Sequence, residues 1–81
     1  MDSQYQTPLY PNIYIDGNWA GTGYASVQVL EGWHTILVDD PVWNDYLQCY
    51  DYLWRITDDY GNGASRPVYS DTEIYALYLP Q

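Results

Sequence analysis

Few residues in this sequence carry reactive chemistry, and their spacing limits what they could do. His34 is the only histidine and Cys49 the only cysteine, so a thiolate nucleophile with an imidazole base would have to come from these two. Nothing in their spacing supports such a pair, and two such ligands are too few for a zinc site. Cys49 cannot form an intramolecular disulfide and is expected to be a small buried hydrophobe. Carboxylates that could pair for glycoside hydrolysis are plentiful, but 81 residues supply no cleft walls around them. The reading is that the chain is not an enzyme.

The acids gather in turn-like runs. "VDDPVWND" offers Asp39, Asp40 and Asp45, and "TDDYGNG" offers Asp58, Asp59, Asn62 and Gly63. Such a density of oxygen ligands invites calcium, yet the EF-hand spacing fails. Counted from Asp58, position 3 is Tyr60 and position 12 is Tyr69, where an oxygen ligand and a bidentate Glu belong. A looser oxygen cage from Asp39, Asp40, Asp58, Asp59 and Asn62 is the metal site to look for. The alternative is that Asp, Asn and Gly are present because they make turns. No other cofactor is expected.

The stretch "IDGNWAGTG" raises a phosphate loop. Its glycines at 17, 21 and 23 do not form G-x-G-x-x-G, no G-K-[ST] follows, and no helix pattern opens where an anion would sit. Asp16-Gly17 is better read as a turn with positive φ, and Gly21 as a point where the backbone approaches its neighbours. The whole stretch then becomes a hairpin connection that sets strand register, followed by a strand that opens near Gly32. His34 shares a face of that strand with Ile36 and Val38, which suits a hydrogen-bonded, partly buried imidazole rather than a base.

Eleven Tyr and four Trp without any Phe mean that the aromatic mass carries polar handles, which suits half-buried sheet faces and wet interfaces. An exposed sugar-stacking platform is one use for them, with Trp19, Trp43 and Tyr60 as its residues. The alternative is that a chain lacking Phe must build its core from Trp and Tyr.

These side chains have to be positioned by strands. Ile13 and Ile15 alternate with Tyr14. Val27 and Val29 alternate within "YASVQVLEG", and His34, Ile36 and Val38 oppose Trp33, Thr35 and Leu37. "DYLQCYDYLWRITDD" reads as a long strand, or two with a bulge, that puts Tyr50, Tyr52, Trp54 and Ile56 on one face. "DDYGNGASRP" is the longest turn-rich segment, and "TEIYALYL" closes with Ile74, Ala76 and Tyr78 opposite Tyr75, Leu77 and Leu79. Strands at this spacing predict an all-β fold, a small antiparallel β-sandwich of about six to seven short strands. The length allows a single domain, expected over residues 10–81 behind a flexible N-terminal segment at 1–9.

The charge balance excludes classes of partner. Eleven acids face two arginines, Arg55 and Arg66, for a net charge of −9. Nucleic-acid phosphates and anionic membrane surfaces would repel such a chain, so neither is expected as a partner. No apolar run approaches the roughly twenty residues that span a bilayer, and no signal-peptide pattern opens the chain. Any export signal is expected to lie outside these 81 residues.

"IYIDGNWAGTGYASVQVLEGWHTILVD" resembles the core of PEGA domains. The matching residues are Ile13, Ile15, Asp16, Gly17, Gly21, Thr22, Val27, Val29, Gly32, His34, Ile36 and Val38. The chain departs from the family at Pro8-Leu9-Tyr10-Pro11, where only proline agrees with the naming tetrad. It departs again over 41–66, which is longer and more aromatic than the family's middle. The resemblance implies a non-catalytic, extracellular structural or interaction module of a larger cell-surface or S-layer-type protein. Such a module would be monomeric when isolated, with neighbouring domains or other surface proteins as partners. It carries over no active-site residues: Asp16, Gly17, Gly21 and Gly32 would be turn residues, and His34 a brace for the first hairpin. A carbohydrate-binding module, assisted by calcium, is the competing reading.

Overall fold

The computed structural model describes residues 2, 3 and 8–80. It is all-β, with eight strands: β1 (Asp2–Ser3), β2 (Asn12–Ile15), β3 (Asn18–Thr22), β4 (Gly32–Val38), β5 (Val42–Asn44), β6 (Cys49–Ile56), β7 (Ser65–Val68) and β8 (Ala76–Pro80). They form two four-stranded sheets, ordered β1-β8-β6-β5 and β3-β2-β4-β7. Pairing is antiparallel except where β1 joins β8 in parallel. Among the described residues no helix is long and apolar enough to cross a membrane.

The sheets meet over a thin core. Ile13 and Val38 from one sheet pack with Val42, Ile56, Ala76 and Tyr78 from the other, and Leu9 completes the cluster. Tyr78 is wholly buried, and its hydroxyl donates to the Asp39 carbonyl at 2.7 Å, tying β8 to the end of β4. Burial pushes the phenol's pKa far up, and the nearby Asp40 and Asp39 add to the shift, so the hydroxyl stays a donor. Within the segment expected at 1–9, Leu9 lies in the core and Asp2–Ser3 pair with β8. Residues 1 and 4–7 of that segment lie outside the described residues.

The first hairpin is tighter than the sequence suggested. Asp16 and Gly17 both have positive φ, 53° and 82°, which is the two-residue turn that matches strand twist. "NWAGT" therefore is a strand, β3, rather than part of a connection. β2 lies between β3 and β4, and the expected strand at "YASVQV" does not form: beyond an isolated bridge between Thr22 and Tyr24 no ladder continues. Residues 25–30 are irregular instead. At Gly21 a Cβ would lie 2.3 Å from the Tyr24 carbonyl oxygen, so this close return of the chain requires glycine.

In β6 the register shifts between Leu53 and Arg55, leaving Trp54 as the extra residue of a bulge. The bulge corrects the expected face: Ile56 turns inward with Asp51 and Leu53, while Tyr50 and Tyr52 stay outside. Val42–Asn44 and Ser65–Val68, read as turn or unassigned sequence, are short strands at sheet edges. An edge is where Pro67 is tolerated, because its missing N–H can face away from the ladder.

Candidate functional site

The outward face of β5, β6 and β8 follows from strand alternation. Val42, Asp51, Leu53 and Tyr78 point inward, so their neighbours point out. Register sets Trp43 beside Tyr50, Tyr52 beside Leu79 and Arg55 beside Leu77. Tyr75 continues the row next to Thr57, held by Thr57 N–H to the Tyr75 carbonyl at 2.9 Å and Tyr75 N–H to Thr57 Oγ1 at 3.0 Å. Trp43, Tyr50 and Tyr52 are each between 43% and 48% exposed, so nearly half of every ring is open to a partner.

The rings are set by specific contacts. Trp43 and Tyr50 pack edge to face, with centroids 5.1 Å apart and planes at 76°. The Trp43 indole N–H donates to Asp45 Oδ1 at 2.7 Å, and the Tyr75 hydroxyl donates to Glu73 Oε2 at 3.4 Å. A carboxylate therefore stands at each end of the aromatic row. Arg55, which stands in the row between Tyr52 and Tyr75, is engaged by Asp59 at 3.0 Å and lies 5.9 Å from the Trp54 ring centroid.

The three residues expected to form a sugar platform are not brought together. Trp19, opposite Tyr14, lies on the outer face of the other sheet with its N–H on Asn12 Oδ1 at 3.2 Å. Trp43 belongs to the row just described. Tyr60 sits in the β6–β7 connection, its ring 5.9 Å from the Arg66 guanidinium. Tyr50, Tyr52, Leu77 and Leu79 were the residues missed. Their alternation was visible, but the adjacency of β5, β6 and β8 was not.

The residues expected around a calcium ion have other partners. Asp39 Oδ2 accepts from Asn12 N and Nδ2 at 3.0 and 3.1 Å, and Asp40 Oδ1 accepts from Leu53 N at 2.9 Å. Asp58 faces Arg66 and Asp59 faces Arg55. Asn62 accepts from Val38 N at 2.8 Å and donates to Val38 O at 2.9 Å, standing in for a neighbouring strand. Among the described residues no three His, Cys, Asp or Glu side chains group to hold a metal. Cys49 is half-buried rather than buried, with its thiol 3.8 Å from Asp51 Oδ1.

His34 links three parts of its sheet. Its Nδ1 lies 2.5 Å from Asp16 Oδ2 and its Nε2 2.5 Å from the Leu30 carbonyl, while Asp16 Oδ1 accepts from Thr35 N at 2.9 Å. Both ring nitrogens face acceptors, so the imidazolium fits best. The Asp16 bond, aided by the Leu30 carbonyl, raises the His34 pKa, and the His34 bond lowers that of Asp16. Gly17 completes the turn that presents Asp16, and Gly32 opens β4 two residues before His34. These groups hold the Leu30 end of a loop against the first hairpin.

No family model, curated protein or solved structure matches this chain.

Proposed function

We propose that this chain is a non-catalytic β-sandwich interaction module of PEGA type. It would serve in a larger extracellular surface protein and present its outer β5-β6-β8 face to another protein. The observation that carries this reading is the row of half-exposed Trp43, Tyr50 and Tyr52 on one sheet face. Tyr and Trp supply large contact area at low entropic cost, which is why they anchor protein interfaces. The reactive residues, by contrast, are used to hold turns. Trp43 and Tyr50 meet at 76°, so they offer no coplanar pair for a sugar to lie across, which favours a protein partner over a glycan.

The test is a displayed peptide library panned against the intact chain and counter-selected with Trp43→Ser. Peptides that depend on Trp43 are the expected result. A calcium-dependent shift of Trp emission with a glycan panel, with no Trp43-dependent peptide, would overturn the reading in favour of carbohydrate binding.

A further inference from the structure

We infer that the occupant of the β5-β6-β8 face is an extended, Lys- or Arg-bearing segment of a partner protein. The inference rests on the interaction reading above and adds the chemistry of the partner. Three observations carry it.

The first is the pairing of π faces with carboxylates. Trp43, Tyr50, Tyr52 and Tyr75 line the row, with Arg55, neutralised by Asp59, between Tyr52 and Tyr75; Asp45 is bonded to the ring at one end and Glu73 to the ring at the other. Aromatic faces attract cationic side chains, and a carboxylate beside the ring adds to that attraction. The second is charge. The chain carries −9, and both of its arginines are engaged, Arg66 buried against Asp58 and Arg55 paired with Asp59. The surface thus offers an acidic partner little to bind, and a second copy of the chain would bring like charge to like charge. The third is shape. From Tyr50 to the level of Thr57 and Tyr75 the row runs along β6 and just past its end, and with the bulge at Trp54 discounted it spans about 20 Å at ~3.4 Å per residue. An extended segment of about seven residues matches that length. Its alternate side chains would meet the rings, and Leu77 and Leu79 would pack its aliphatic stems.

The test is calorimetric titration of the intact chain with a blocked peptide of about eight residues alternating Lys and Val, beside Glu-Val and Ser-Val peptides of equal length. The Lys-Val peptide should bind, and its affinity should fall as salt rises. Tyr52→Ser should weaken it by about tenfold, as loss of an aromatic anchor does. Asp45→Asn with Glu73→Gln should weaken it several-fold. Trp33→Ser, on the outer face of the other sheet, should leave it unchanged. Circular dichroism of each variant separates lost binding from lost fold.

Equal weakening by Tyr52→Ser and Trp33→Ser would mean diffuse attraction to an acidic chain and would overturn the inference. If Ser-Val binds as well as Lys-Val and depends on Tyr52, the interaction face stands and the cationic partner falls. A dimer in sedimentation that Tyr52→Ser abolishes would assign the face to a second copy. If no peptide binds in a Tyr52-dependent way, the inference and the reading beneath it fail together.

Discussion

His34 on β4 and Arg66 on β7 stand directly opposite each other in one ladder, and each secures a different turn by the same means. His34 reaches the Asp16 carboxylate in the β2–β3 turn and the Leu30 carbonyl. Arg66 reaches Asp58 in the β6–β7 connection, the Gly61 carbonyl at 2.6 Å and the Ile36 carbonyl at 3.3 Å. They differ in burial and in the permanence of their charge. The Arg66 side chain is 1% exposed and always charged; that of His34 is 15% exposed and carries a charge only when protonated. The guanidinium fork can serve a carboxylate and two carbonyls at once, whereas an imidazole has two nitrogens and needs a proton on each. One clasp is therefore permanent and the other conditional.

Removing the permanent clasp should cost the most. Arg66→Met would leave Asp58 without its cation and reduce the Gly61 and Ile36 carbonyls to their backbone donors, Ala64 N and Gly63 N. The expected loss is about 3 kcal/mol or more, as for other broken buried pairs. A chain this size has roughly 4–12 kcal/mol in all, so urea denaturation would show a large shift of the midpoint. Arg66 Nε lies 3.0 Å from Asp58 Oδ2 without directing its N–H at it, so that contact is charge attraction more than hydrogen bonding. Asp58→Asn, which keeps the carbonyl contacts, should accordingly cost less than Arg66→Met. An equal loss from His34→Gln would break the contrast between the two clasps.

Asn62 sharpens the same contrast at intermediate size. Its side chain pairs with both the N–H and the carbonyl of Val38, at the buried end of β4. Asn62→Ala would strand two backbone groups, and a loss of about 1–2 kcal/mol in the same denaturation assay is expected. Asp59→Asn, on an exposed pair with Arg55, should change stability by under about 0.5 kcal/mol.

The two clasps were unequally legible. Asp16-Gly17 announces a turn by residue type, and the alternation of His34, Ile36 and Val38 put the imidazole on the inner face. Arg66 gave no such signal, because "SRPV" is four residues at a sheet edge beside a glycine-rich turn, too short for a period. The acids of "TDDYGNG" suggested an ion because their partners, Arg66 on β7 and Val38 on β4, come from elsewhere in the chain. Val27 and Val29 alternate as a strand would, yet the segment pairs with neither free edge of the sheet, β3 or β7, so alternation alone does not make it a strand. Tyr50 and Tyr52 were placed on one face correctly, but the bulge at Trp54 moved Ile56 to the other. Local period was readable in the residues, and neighbours across the sheets were not. That is why the hairpin was visible and the aromatic row was not.

The conditional clasp predicts the smallest effect and the one with a defined sign. The His34 pKa is raised above its ordinary 6.5, so its contribution is complete below about 6.5 and lost as pH rises through the higher folded value. The Asp16 pKa is lowered below its ordinary 3.8, so its contribution is present above about 3.8 and lost as pH falls through the lower folded value. The clasp is thus complete between about pH 4 and 6.5 and weakens on the alkaline side. Thermal melts from pH 5 to 8.5 should show a decline that Asp16→Asn flattens. The imidazole resonances of His34 should titrate above the ordinary value and return toward it in that variant. Arg66 stands across the ladder from His34, and its charge opposes protonation, so the hydrogen bonds to Asp16 and Leu30 must outweigh that repulsion. A His34 that titrates at or below its ordinary value would show that the repulsion wins. The turn would then be held by Asp16-Gly17 geometry alone.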